Sequence, residues 1–140
     1  MGMVDAAYEL HPIGRVESPL VNRAAAPKQG DEGAPEATIV FDDAVRDGLR
    51  GIAPGMQMLV LTWLDQGERS VLAVHPRGDA SRPEAGVFST RSPDRPNPIG
   101  LHRVTVLAVD DLRLRVRDLE AINGTPVLDL KPVLGGIAER

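Results

Sequence analysis

The sequence predicts a mainly β protein, a small antiparallel barrel or sandwich with about one short helix. Three observations predict it. Six or seven short apolar or alternating runs follow one another at hairpin-like spacing. Two of them, 101–109 and 112–120, alternate strongly around Asp110-Asp111, the mark of a β-hairpin. Helical periods do not alternate with the strands, which argues against a βαβ design and a Rossmann fold.

Taken in order, residues 8–16 (YELHPIGRV) alternate apolar and polar positions and predict an edge-like strand interrupted at Pro12. Pro19 turns the chain into a loop over 22–37, built of Ala, Pro, Gly and charge, and 38–41 (TIVF) is a short strand. Asp42 and Asp43 are N-cap candidates for a helix over 44–52, with apolar residues at Val45, Leu49 and Ile52. The most hydrophobic run, 56–64 (MQMLVLTWL), predicts a strand buried on both faces. It would pair with 70–75 (SVLAVH) through the polar turn 65–69 (DQGER). The 101–109 and 112–120 hairpin follows, and 126–134 (PVLDLKPVL) closes the series.

With 140 residues the chain is long enough for one hydrophobic core, and residues 1–140 are expected to form a single domain. Cysteine is missing, which excludes disulfides and thiol catalysis. His11, His75 and His102 lack paired-ligand spacing, so no metal site is expected. No apolar run is long enough to span a bilayer and no secretory leader is visible; the expected location is the cytoplasm, away from membranes. A net charge of −4 gives no global pull toward nucleic acid, so any such surface must be local.

Residues 76–98 hold five prolines with no clear period, and loops of that length in a compact domain are usually functional or disordered. Within RSPDRPNPIG (91–100), Ser92, Arg95 and Asn97 each precede a proline and are pushed toward extended backbone. Such a segment suits a pre-organised wall presenting Arg91, Arg95 and Asn97 to a ligand. It suits a rigid spacer with solvated arginines equally well. Arg113, Arg115 and Arg117 put three cations on one strand face, either a phosphate contact or, more commonly, a solvated outer surface.

Four motifs carry a family resemblance: IGRVESP (13–19), PKQG (27–30), GVFSTRSPDRPNPIGL (86–101) and NGTPVLDLKP (123–132). In this order, over nearly the whole chain, they resemble the TrmO family, also called TsaA-like. The resemblance implies a β-barrel methyltransferase that binds S-adenosyl-L-methionine and works as a homodimer with the cofactor near the interface. It implies a tRNA substrate, methylated on the exocyclic amine (N6) of threonylcarbamoyl-adenosine beside the anticodon.

Carried over motif by motif, the resemblance places Gln29, Gly30, Leu64, Asp65, Arg91, Leu101, Asp118, Leu119 and Glu120 at the cofactor. Leu64 and Leu101 offer apolar surface to the adenine. Asp65, Asp118 or Glu120 would favour the sulfonium or accept ribose hydroxyl hydrogens, and Arg91 would fork onto the carboxylate. Arg95, Asn97 and Lys131 are candidates for substrate contact. Asn97 is the candidate catalytic residue, orienting the amine by accepting its hydrogens, an analogy with amine methyltransferases of other folds. Asp129 and Lys131 also read as a structural pair.

This chain departs from the family pattern at Asp65, where histidine is frequent, and at Glu120 and Asn123, where aspartate is common. Longer members carry an additional domain after the DLKP region, whereas only eight residues follow Pro132 here, so no additional C-terminal domain is expected. Two alternatives therefore stand beside the tRNA reading: a methyltransferase of a small molecule or other nucleotide, and a non-catalytic cofactor-binding module.

Overall fold

The computed structural model of the chain describes residues 6–21 and 35–135. Its strands are β1 (Gly14–Glu17), β2 (Ala37–Phe41), β3 (Gln57–Trp63), β4 (Ala73–Val74), β5 (Ala85–Gly86), β6 (Ile99–Asp110), β7 (Arg113–Arg117) and β8 (Pro126–Pro132). Six of them close into a barrel in the order β1-β2-β7-β6-β3-β8, with β8 returning to β1 and every neighbouring pair antiparallel. Closure leaves these six without a free edge.

The period of two dictates what lies inside. Val16, Ile39, Phe41, Met58, Val60, Val104, Val106, Leu114, Val116 and Val127 are all buried and form one core. Aliphatic and β-branched side chains fill the barrel, as a sequence with few aromatics requires.

Several elements differ from the sequence expectation. The first strand begins at Gly14 rather than residue 8, because Pro12 has no N–H to give to a ladder. The expected helix is a 3-10 helix over Asp43–Leu49, and its Val45 and Leu49, with Ile52, pack against the core. Strand β3 is buried on its inner face only; Leu59, Leu61 and Trp63 on the outer face are half-buried.

The expected pairing of β3 with 70–75 does not form. Both edges of β3 are taken by the longer strands β6 and β8, and β4 pairs with β5 in a separate two-stranded ribbon. The 101–109 and 112–120 hairpin forms as β6 and β7, turning at Asp111 with φ of 54°. Aspartate tolerates that left-handed geometry better than most residues.

Candidate functional site

Strands β3 and β6 stay paired up to Trp63 opposite Ile99. Residues 64–98 leave the barrel there and return to the same place. Between this excursion, the start of β6 and residues 118–122 lies a cleft of about 1160 Å³, lined among others by Leu64, Asp65, Arg91, Leu101, Asp118 and Glu120.

The proline segment forms one wall, and the polar segment 65–69 buttresses it from behind. The Leu64 N–H donates to the Pro98 carbonyl at 2.7 Å, and the Glu68 N–H to Asp94 Oδ1 at 2.9 Å. Arg69 donates through Nε to the Pro96 carbonyl at 2.6 Å and through Nη2 to Asn97 Oδ1 at 2.9 Å. Its guanidinium lies 5.3 Å from the centroid of the Trp63 ring. The contact is so close that a Cβ on Gly67 would sit 2.1 Å from the Pro93 carbonyl oxygen. Arg95 turns inward, its Nη1 donating to the carbonyls of Thr90 and Ser92 at 3.0 Å each. The prolines therefore stiffen a wall that other residues hold in place.

At the cleft wall three polar side chains form a line, running from Glu120 and His102, which border the cleft, to Thr62 inside the barrel. Thr62 Oγ1 lies 2.7 Å from His102 Nε2, and His102 Nδ1 lies 2.5 Å from Glu120 Oε1. This connectivity is that of a hydroxyl–imidazole–carboxylate triad. Its accessibility is reversed: Thr62 is fully buried inside the barrel, whereas Glu120 forms part of the cleft wall. A hydroxyl that no substrate can reach is not a nucleophile, and a hydrolase reading fails on that ground. The other oxygen of the carboxylate, Glu120 Oε2, is buried and has no hydrogen-bond partner among the described residues.

Leu64, Asp65, Arg91, Arg95, Asn97, Leu101, Asp118 and Glu120 all border this one cleft. Leu119 does not: its side chain is fully buried in the barrel core, because β7 ends at Arg117 and the left-handed backbone of Asp118, with φ of 71°, shifts the phase so that Leu119 points in. Lys131 lies on β8 away from the cleft, 3.3 Å from Asp129, the geometry of the structural pair. Gln29 and Gly30 lie outside the described residues. The acceptors expected to orient an amine are engaged: Pro96 and Asn97 Oδ1 accept from Arg69, the Asn97 carbonyl from the Ile99 N–H at 2.7 Å, and Pro98 from Leu64.

The basic stripe on β7 faces outward and is charge-paired. Arg113 meets Glu17 at 2.6 Å, Arg115 meets Glu36 at 3.4 Å and Arg117 meets Asp118 at 3.7 Å. His102, Thr62 and Arg69 were not singled out by sequence. The signal for His102 was its place on the inward face of an alternating strand, in register with Val104 and Val106. Among the described residues, no group of three or more His, Cys, Asp or Glu side chains could hold a metal ion.

The model of the tRNA-methyltransferase O N-terminal domain matches residues 15–137. The chain belongs to the TrmO family. A relative from Methanothermobacter thermautotrophicus, named a probable S-adenosyl-L-methionine-binding protein, is 43% identical over 130 residues, 93% of each chain. An Archaeoglobus fulgidus protein named an S-adenosyl-L-methionine-binding protein is 45% identical over 122 residues, covering 87% of this chain and 86% of that one. The crystal structure of TrmO from Pseudomonas aeruginosa superposes with a TM-score of 0.73 at 26% identity, covering 96% of this chain. This chain spans 62% of the length of that solved TrmO chain. The barrel is thus the TrmO-family barrel, and the cleft occupies the end built by the RPNPIG motif.

Proposed function

We propose that the protein is an S-adenosyl-L-methionine-dependent methyltransferase that methylates N6 of threonylcarbamoyl-adenosine beside the tRNA anticodon. The observation that carries this reading is the composition of the cleft. Its lining includes four carboxylates, Asp65, Asp94, Asp118 and Glu120, five arginines, Arg77, Arg82, Arg91, Arg95 and Arg103, and the apolar side chains of Leu64 and Leu101. Such a set fits a ligand that combines a nucleoside, a sulfonium, an ammonium and a carboxylate. Glu120 Oε2, buried and without a partner among the described residues, is an acceptor in want of a donor, and a bound cofactor has hydroxyl and ammonium hydrogens to give.

In this reading Leu64 and Leu101 hold the adenine, Arg91 holds the carboxylate, and the acidic residues hold the ribose and the cationic groups. The bound cofactor supplies a methyl group on a positively charged sulfur, an excellent leaving group. The chain's own work is therefore alignment and exclusion of water.

Asn97 takes a role different from the one its sequence context suggests. Arginine has donors only, so the oxygen of the Asn97 amide must be the atom facing Arg69. The amide nitrogen is left to donate. Asn97 then recognises a carbonyl or carboxylate beside the reacting amine, and a threonylcarbamoyl group carries both. Arg95, locked within the wall, keeps its remaining guanidinium N–H groups for the same substrate.

Exposed Phe88, Ile99 and Leu101 at the cleft support a homodimer with the cofactor near the interface. No helix among the described residues is long and apolar enough to cross a membrane; a cytoplasmic enzyme is proposed. The second reading, methylation of a small molecule or another nucleotide, is favoured by the charge of −4 and the paired state of the β7 arginines. A non-catalytic binding module is the third.

Incubation with labelled methyl donor and total tRNA, with or without the threonylcarbamoyl modification, separates them. Label that requires the modification supports the first reading. Donor turnover without tRNA labelling moves the assignment to the second, and donor binding without turnover to the third.

A further inference from the structure

Glu120 is held by His102, and nothing so far gives His102 a role. A carboxylate at a cleft wall would ordinarily share its two oxygens between water and the nearest donors. Here the two oxygens are unequal. Oε1 is tied to His102 Nδ1 at 2.5 Å, while Oε2 is sealed from solvent and has no partner among the described residues. An unsatisfied buried acceptor is costly, the more so on a charged group. A fold tolerates such an atom most readily where a ligand completes it.

His102 is itself fixed from the far side. The residue is 6% exposed, and Nε2 sits 2.7 Å from the hydroxyl of fully buried Thr62. The space around that contact is tight, since a Cβ on Gly100 would lie 2.4 Å from Thr62 Oγ1 and 2.8 Å from His102 Nε2. Thr62, Gly100 and His102 sit on the paired strands β3 and β6, with Thr62 opposite Gly100. The imidazole is therefore anchored by the barrel, and it passes that rigidity to a side chain outside the strands.

We propose that His102 is a positioning residue, which clamps Oε1 of Glu120 so that Oε2 stays free to accept a hydrogen bond from a hydroxyl or ammonium group of the bound methyl donor. The inference rests on the cofactor reading above. It requires the Nδ1 tautomer or the imidazolium, since the atom facing the carboxylate must carry the hydrogen. Thr62 is then acceptor or donor to Nε2 as the ring requires, because a hydroxyl can rotate to do either.

The test uses the full chain and two probes, S-adenosylmethionine and S-adenosylhomocysteine, with affinity by calorimetry and melting temperature measured in parallel. The substitutions are His102→Asn, whose amide can replace the Nδ1–H, and His102→Leu, which replaces neither nitrogen. If wild-type protein binds neither probe, the cofactor reading fails and this inference falls with it.

With wild-type binding established, His102→Leu is expected to lose at least about tenfold in affinity for both probes, the order of one hydrogen bond to a charged group. His102→Asn is expected to recover most of that loss while melting no higher than His102→Leu. Equal affinities for all three proteins would overturn the proposal. So would a loss in both variants that simply tracks melting temperature. A loss confined to the sulfonium-bearing probe would overturn it too, because Oε2 would then act through charge on sulfur rather than as a hydrogen-bond acceptor. Glu120→Gln serves as the second arm: combined with His102→Leu, it is expected to add little to either single effect.

Discussion

Arg69 Nη2 donates to Oδ1 of Asn97 at 2.9 Å, from a segment that sequence alone would make a mere hairpin turn. The same guanidinium spans the Pro96 carbonyl and the Trp63 ring, so one side chain ties the barrel, the buttress and the wall together. Asn97 can be placed in a site only because Arg69 decides which end of its amide looks outward.

Arg69→Ala and Asn97→Ala should therefore couple. Each is expected to lower methyl transfer, with the double variant little worse than the more damaging single one. The interaction energy should be about 1 kcal/mol in a double-mutant cycle on kcat/KM. Full additivity would separate the two residues.

Two glycines should fail in different ways. In Gly67→Ala the new methyl meets backbone oxygen at Pro93, so the wall must lift while the barrel stays closed. The expected result is a melting temperature within a few degrees of wild type but a large loss of donor affinity. In Gly100→Ala the methyl meets Thr62 and His102 inside the barrel. There the cost should be about 1–3 kcal/mol of stability, read as a lower midpoint in urea.

Arg91 is exposed, and among the described residues its guanidinium reaches only the Leu101 carbonyl at 3.5 Å, a contact too long to matter for folding. Arg91→Ala should leave the urea midpoint unchanged and weaken the cofactor by about ten- to a hundredfold, the range of a lost charged hydrogen bond. An unchanged dissociation constant by calorimetry would remove Arg91 from the site.

One pH effect follows from the turn beside the cleft. The side chain and backbone N–H of Ser81 donate to Asp79 and hold its carboxyl below the usual range. Because the folded value is the lower one, the turn gains stability above the unfolded value and loses it as pH falls through the folded one. The group is fully exposed, so the effect is local. Carboxyl carbon shifts followed by NMR should show the Asp79 midpoint moving up in Ser81→Ala, with the barrel signals unmoved.

The dimer proposal is tested by sedimentation at micromolar concentration. Phe88→Glu and Leu101→Glu should shift the protein toward monomer. A wild-type monomer would remove the interface from the cofactor site.

Much of this architecture was legible in the chain. The alternation of 101–109 and 112–120 gave the β6–β7 hairpin, and the RPNPIG motif gave the cleft wall. Pairing beyond neighbours was not legible. That β3 takes β6 and β8 as partners depends on closure of the whole barrel, which no local pattern encodes. The inward turn of Leu119 was not legible either, since a motif names the run Asp118 to Glu120 without saying which of its side chains enters the core. The roles of Arg69 and His102 were not legible because their partners lie 28 and 18 residues away, across contacts that only the folded chain makes.

The departure and return of residues 64–98 at one rung of the barrel has an evolutionary corollary. Strands β3 and β6 would remain neighbours whatever length of chain joined them, so one wall of the recognition surface is effectively a cassette on the barrel. Relatives can diverge there in length and chemistry without renegotiating the core. Transplanting that cassette between two members of the family, with its Trp63–Ile99 boundary kept, should carry substrate preference across while the recipient's melting behaviour is retained.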